Sequence, residues 1–430
     1  MSKIVGLIVL GLLVLGLAFI GILYVTRGTP VSSLRGIGAK DEPYAASDPR
    51  FVQTIQLLSG TMMVAGNSIE VLSNGDGTYP KLWEDLQSAK RSITLQMYYY
   101  EPGEMAEALK KILIERAQAK VRILVLVDAV GSSDMESEYF DSLRVAGIEV
   151  ARFRPVHWYS LHKAQSRSHI RVVTVDGHVG YTGGFGIADK WYGDGRHDDQ
   201  WRETNVRFSG PAVSQLQATF AAGWAEATGE LLAGEGFFHP EQYHTDASRL
   251  SGLMHAAPTI GSTPAERYLA LTLAGARKTL YVTSGYFVPD DDFRRLLVEA
   301  AKRGADVRIL SASDKTDVPM TRFAGRANYE ELLRGGVKVY EYQPTMVHAK
   351  TIVVDGIWSS IGTMNFDNRS MVFNDESVLM VHDIAIGKQM DAMFLEDLRF
   401  SEELKLESFL KRPLREKLRE RGAVMLSRIL

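Results

Sequence analysis

Short runs rich in Val and Ile alternate along most of this chain with longer stretches in which apolar residues recur every three or four positions. Met105 to Ala119 has the helical spacing before the run that begins at Val121, and Asp292 to Arg303 has it before the run at Val307. Strands alternating with helices predict an α/β fold with a mixed, largely parallel sheet flanked by helices. Two segments depart from the pattern. From Ile4 to Thr26 the chain runs 23 residues without a charge, bounded by Lys3 and Arg27, which is long enough to cross a bilayer with some tilt. The run exceeds a signal-peptide core and no A-x-A-like cleavage site follows, so residues 4–26 are expected to be a transmembrane anchor. Lys3 on one side against Arg27, Arg35 and Lys40 on the other leaves its orientation open. Near the other end, Lys411, Arg412, Arg415, Lys417, Arg419 and Arg421 interleave with Leu414 and Leu418, ahead of Met425, Leu426, Ile429 and Leu430. Residues 404–430 therefore read as a basic amphipathic helix, with Pro413 near its first turn, that either packs on the preceding domain or lies on anionic lipid.

The body of the chain is a duplication. Ala89-Lys90-Arg91-Ser92-Ile93-Thr94-Leu95 followed by Tyr98-Tyr99-Tyr100 parallels Ala276-Arg277-Lys278-Thr279-Leu280-Tyr281-Val282 followed by Tyr286-Phe287. Val121-Arg122-Ile123-Leu124 with Asp128 parallels Val307-Arg308-Ile309-Leu310 with Asp314, and Gly147-Ile148-Glu149-Val150 parallels Gly336-Val337-Lys338-Val339. The offsets, 187, 186 and 189 here and 179 at a fourth match, describe one unit repeated with small loop changes. The implied plan is a linker over 27–48, a first domain over 49–230, a connection over 231–262 rich in Gly, Ser, His and Pro, and a second domain over 263–403.

Composition narrows the function classes. With 430 residues, 45% of them hydrophobic and 23% charged, the chain can build a core in each of two domains. A net charge of -3 and a pI near 6.4 argue against a dedicated nucleic-acid binder. The absence of cysteine removes disulfides, thiolate metal sites and cysteine nucleophiles together and leaves the compartment undecided.

The fourth match carries chemistry. His169-Ile170-Arg171 with Asp176 and His348-Ala349-Lys350 with Asp355 both obey H-x-(K/R)-x4-D, and each sits at the end of a Val/Ile-rich run that reads as a strand. Residues two apart on a strand share a face, so His169 projects with Arg171 and His348 with Lys350. Two imidazoles and two cations at one shared site suit phosphodiester chemistry, which needs a nucleophile, a proton donor and compensation of phosphate charge. Asp176 and Asp355 complete the phrase, each at an Asp-Gly step that is also a hairpin signal, so a role in positioning the site competes with a direct one. His157, His162, His178 and His197 have no metal-site spacing and read as loop residues; no metal and no cofactor is expected.

Downstream, Gly362-Thr363-Met364-Asn365-Phe366-Asp367-Asn368-Arg369-Ser370 and Asn374-Asp375-Glu376, together with Gly285-Tyr286-Phe287-Val288-Pro289-Asp290, resemble the phospholipase D superfamily, in particular its bacterial cardiolipin synthase branch. The resemblance runs from about Ser68 to the end of the chain. It implies two facing α/β domains around one site, with His169 as nucleophile, His348 as general acid, Arg171 and Lys350 neutralising phosphate oxygens, and Glu203 and Glu376 as carboxylates that orient the imidazoles. It also implies phospholipid substrates, phosphatidylglycerol among them, the bilayer as partner and a bacterial inner membrane location, with hydrolytic phospholipase D, nuclease and non-catalytic lipid binder as alternatives. The first copy departs from the pattern at Arg171, where Lys is usual, and at Gly186, where Asn is usual, which leaves Thr363 and Asn365 to hold phosphate oxygens.

Overall fold

The computed structural model describes residues 2–26, 31–34, 43–156, 165–238, 248–259 and 261–425. Helix α1 (Ser2–Thr26) precedes α2 (Pro49–Ser59). The first half then runs β1 (Val64–Ser73), α3 (Asn74–Ser88), β2 (Ser92–Met97), α4 (Glu104–Gln118), β3 (Arg122–Asp128), α5 (Ser137–Val145), β4 (Glu149–Phe153), β5 (Val172–Val175), β6 (Val179–Gly183), β7 (Thr204–Ser209) and α6 (Ala212–Thr228). The second repeats the series as β8 (Arg249–Ala256), α7 (Pro264–Ala274), β9 (Thr279–Ser284), α8 (Asp291–Lys302), β10 (Asp306–Ala312), α9 (Pro319–Arg334), β11 (Lys338–Tyr342), β12 (Lys350–Val354), β13 (Trp358–Gly362), β14 (Glu376–His382) and α10 (Ile384–Leu398). It closes with β15 (Ser401–Leu404), α11 (Leu406–Leu410) and α12 (Leu414–Val424).

The strands form one sheet in the order β15-β11-β10-β9-β12-β13-β14-β8-β1-β7-β6-β5-β2-β3-β4, so the halves carry the same order in mirrored sequence about the β8–β1 seam. Between the named strands parallel pairing is confined to β2–β3–β4 and β9–β10–β11, and the remaining strand pairs are antiparallel. The sheet is mixed, as strand–helix alternation leads one to expect, but the expected largely parallel character is corrected to a largely antiparallel one. The cause is local: Asp176-Gly177 and Asp355-Gly356 have φ of 54° and 69°, and 54° and 64°, two successive left-handed residues that turn β5 back as β6 and β12 back as β13.

Three other expectations change. The segment 231–262 is more than a connection, because it contains β8, which pairs with β14 and β1 and joins the halves edge to edge. Helix α2, inside the first domain by sequence, buries Phe51, Val52 and Ile55 in the core of the second, with the Phe51 ring edge-on to Trp358 at 5.2 Å. The basic helix expected over 404–430 is broken into β15, α11 and α12; residues 426–430 lie outside the described residues. Among the described residues no helix is long and apolar enough to cross a membrane; the side chains of α1 are described only at 4–16 and 18. Between the halves, Ile170, Val172 and Val206 pack with Leu253, Val347, Ile361 and Leu379 in a shared core, and this core holds the two histidine segments face to face.

Candidate active site

His169 lies three residues before the buried strand β5 and His348 two residues before the buried strand β12, and each is stitched by backbone to the opposite half. His169 N–H donates to the Asp375 carbonyl at 2.9 Å, and His348 N–H donates to the Arg202 carbonyl at 2.7 Å. Asp375 and Arg202 return the bond, to the carbonyls of Arg167 and Met346, both at 2.9 Å. Each stitch ends one residue before a glutamate. The carboxylates are therefore crossed: Glu376 Oε2 lies 3.0 Å from Nδ1 of His169, and Glu203 Oε2 lies 2.6 Å from Nδ1 of His348. A carboxylate on Nδ1 places the proton there and leaves Nε2 as the reactive nitrogen in both rings.

Both histidines line a cavity of about 310 Å³, together with Arg171, Tyr98, Trp191, Trp201, Tyr286, Asn365, Asp367, Arg369 and Asn374. The cations are buried behind the rings. Arg171 Nη1 donates to the His169 carbonyl at 2.6 Å, and Lys350 Nζ donates to the His348 carbonyl; of the two, Arg171 lines the cavity. Burial, reinforced by Arg171 and Lys350, holds both imidazoles well below the usual histidine range. Burial pulls Lys350 down to about 7, against the pull of Glu203, and pushes Glu376 up to about 7 and Glu203 upward. Each of these five groups is driven toward its neutral form. A phosphodiester anion seated between the rings reverses that for the bases, since a negative charge raises the pKa of both imidazoles and of Lys350.

Asp176 and Asp355 are elsewhere. Neither lines the cavity, and each carboxylate accepts from three consecutive backbone N–H groups at the start of the neighbouring strand: Lys90, Arg91 and Ser92 for the first, Arg277, Lys278 and Thr279 for the second. The catalytic assignment of these two residues is corrected to clamping the hairpin that follows each histidine strand. Asp355→Ala is expected to cost on the order of 2–4 kcal/mol, from lost charge-assisted bonds and a side chain less tolerant of φ near 54°. Urea unfolding and turnover per folded molecule check it: a large loss of turnover with unchanged stability would place Asp355 in the chemistry after all.

At an offset of 179 the halves are unequal around the histidines. Thr363 Oγ1 donates to Glu376, and Asn374 Nδ2 lies 3.4 Å from the same carboxylate. The matching position of the first half is Gly184, where a Cβ would collide with the Glu203 carboxylate. Asn365 matches Gly186, whose missing side chain is replaced by Trp191: a Cβ there would lie 2.8 Å from the indole. Trp191 in turn matches Ser370. His348 accordingly sits among rings, Trp201 at 5.0 Å, Trp191 at 5.5 Å and Tyr286 at 6.1 Å, whereas His169 has Tyr98 at 5.2 Å. The Oδ1 atoms of Asn365 and Asn374 are buried without a partner among the described residues, as acceptors awaiting a donor would be. Trp191, Tyr286 and Arg369 escaped the sequence reading as site residues; the 179-residue offset, extended past Gly186, was the signal that would have found Trp191. His178 and His197 do not line the cavity, His157 and His162 lie outside the described residues, and no His/Asp/Glu group that could hold a metal occurs among the described residues.

This is a site for phosphoryl-group chemistry built by two repeats, and comparison with known proteins narrows it. The family model described as cardiolipin synthase, PLD-like domain, matches residues 82–224 and 269–398. A cardiolipin synthase of Geobacillus sp. (strain WCH70) is 35% identical over 361 residues, covering 84% of this chain and 72% of the relative. Cardiolipin synthase 2 of Bacillus anthracis is 33% identical, covering 84% and 70%. Among solved structures, phosphatidylserine synthase of Haemophilus influenzae Rd KW20 shares the fold at a TM-score of 0.69 and 12% identity, covering 89% of this chain and all of that one. The chain belongs to the phospholipase D superfamily, in its cardiolipin synthase branch. It is an enzyme of the phosphatidyltransferase type.

Proposed function

We propose that the enzyme transfers a phosphatidyl group between two phosphatidylglycerol molecules, giving cardiolipin and glycerol. In this reading Nε2 of His169 attacks phosphorus and the glycerol oxygen leaves with a proton from His348. The resulting phosphatidyl-histidine is then opened by a hydroxyl of the second lipid, whose proton returns to His348. Arg171 and Lys350 balance the charge that builds on the non-bridging oxygens. The observation that carries the reading is the pair of histidines lining one cavity, each with its Nδ1 on a buried glutamate of the other half. The rings around His348 favour a lipid hydroxyl over water as acceptor, because they narrow the approach to that imidazole with apolar surface. The uncharged stretch from Ile4 to Thr26, helical in α1, supports a membrane anchor as the means of keeping enzyme and lipid together.

Purified protein in phosphatidylglycerol vesicles is expected to release one glycerol for each cardiolipin formed, with little phosphatidic acid. Phosphatidic acid in place of cardiolipin would make the enzyme a hydrolase. No lipid product at all, from protein shown to be folded, would remove the reading.

A further inference from the structure

Helix α12 is docked by one side and bare on the other. Its inner side is held by Glu420, buried and bonded to Arg412 Nη2 at 2.7 Å and Arg326 Nε at 3.3 Å, and by Ala423, buried against Ala324 and Val288. At about 100° per residue, Leu414, Leu418, Arg421 and Met425 fall within roughly 60° of one another on the far side. Leu414, Leu418 and Met425 are 71%, 60% and 81% exposed, a stripe that packing among the described residues does not use. Arg415 and Arg419 run along one side of it, and among the described residues Arg415, Arg419 and Arg421 are exposed and have no acidic partner. The other acid of the helix, Glu416, points about half a turn away from Leu414. An apolar stripe with unpaired arginines along it complements the boundary between acyl chains and anionic headgroups, where long cationic stems lie flat and extend their charge to the phosphates.

The position of the helix gives the stripe a use. Ala423 sits on Ala324, one turn along α9 from Thr321, and Thr321 lines the catalytic cavity. We propose that the outer face of α12 docks on an anionic lipid surface and sets the cavity against the bilayer from which its substrate comes. This rests on the lipid-transfer reading, but it places the contact on α12 and not on the N-terminal helix alone.

The chain has no cysteine, so a single Leu418→Cys substitution in the full-length protein can carry one nitroxide label. In vesicles containing phosphatidylglycerol the label is expected to be reached by oxygen and shielded from a water-soluble nickel relaxant, whereas in pure phosphatidylcholine it stays in water. Glu416→Cys, facing away, should stay in water in both. Combining Arg415→Gln, Arg419→Gln and Arg421→Gln should weaken this docking on the order of 100-fold, at roughly a factor of five per charge near the surface. Equal exposure at both positions, or no difference between the two lipids, overturns the proposal, as does shielding that tracks protein concentration without lipid and so marks a second copy. The labelling readout needs no turnover, so an inactive protein that still docks would count against the transfer reading alone.

Discussion

His348→Ala is expected to lower cardiolipin formation by four orders of magnitude or more, as removal of one member of a cooperating nucleophile and acid pair does. The informative measurement uses a phosphatidyl ester of an acidic phenol. Its leaving group departs without a proton, so His348→Ala should release one equivalent of phenol in a burst and then stall with the phosphatidyl group on His169. The stall arises because the second step still needs a base to take the acceptor's proton. His169→Ala should give no burst with either ester. A burst from His169→Ala and none from His348→Ala would exchange the two roles. The same arrangement leaves each imidazole on the same kind of carboxylate, so the asymmetry between roles must come from the surroundings: rings and Lys190 about His348, Arg369 about His169.

Much of this site was legible in the chain because its parts are local. The H-x-(K/R) spacing places an imidazole and a cation together on an extended segment whatever the fold, and an Asp-Gly step turns a strand wherever it occurs. Four matches in the same order exposed the duplication. The unread features are those decided by pairing between distant segments. That Glu376 serves His169, and Glu203 serves His348, depends on the parallel bridges Ser168 to Asp375 and Arg202 to Val347, which no periodicity encodes. The direction of the strands was misread because alternation of helix and strand describes only β2–β3–β4 and its copy, while each hairpin adds antiparallel neighbours. Helix α2 and strand β8 were misplaced for a similar reason, since the core that α2 covers and the edges that β8 joins lie far from either in sequence. The loss of Asn at 186 was visible; its compensation by Trp191 required knowing that the indole folds back over the glycine.

The crossed carboxylates carry the second large effect. Glu376→Gln is expected to reduce kcat/KM on the order of 10²- to 10⁴-fold, since an amide neither stabilises the imidazolium-like transition state nor holds the Nδ1–H tautomer as a carboxylate does. The pH profile gives this loss a signature. Burial holds the Glu376 pKa at about 7, so as pH falls through that value the wild-type carboxylate takes up a proton and its hold on His169 is lost. Activity in the free enzyme should therefore decline on the acid side with a midpoint near 7, and Glu376→Gln should lower the plateau while removing that limb. Glu203→Gln, which touches the other histidine, should lower the plateau and leave the limb of Glu376 in place. In the phenyl ester assay the two variants separate further. Glu376→Gln should slow the burst, because it disables the nucleophile, whereas Glu203→Gln should preserve the burst and slow the transfer to the acceptor hydroxyl. Equal effects of both variants on the burst would mean that the halves act through one coupled proton network instead of one histidine each, and the pairing seen across the interface would then describe support for the site as a whole.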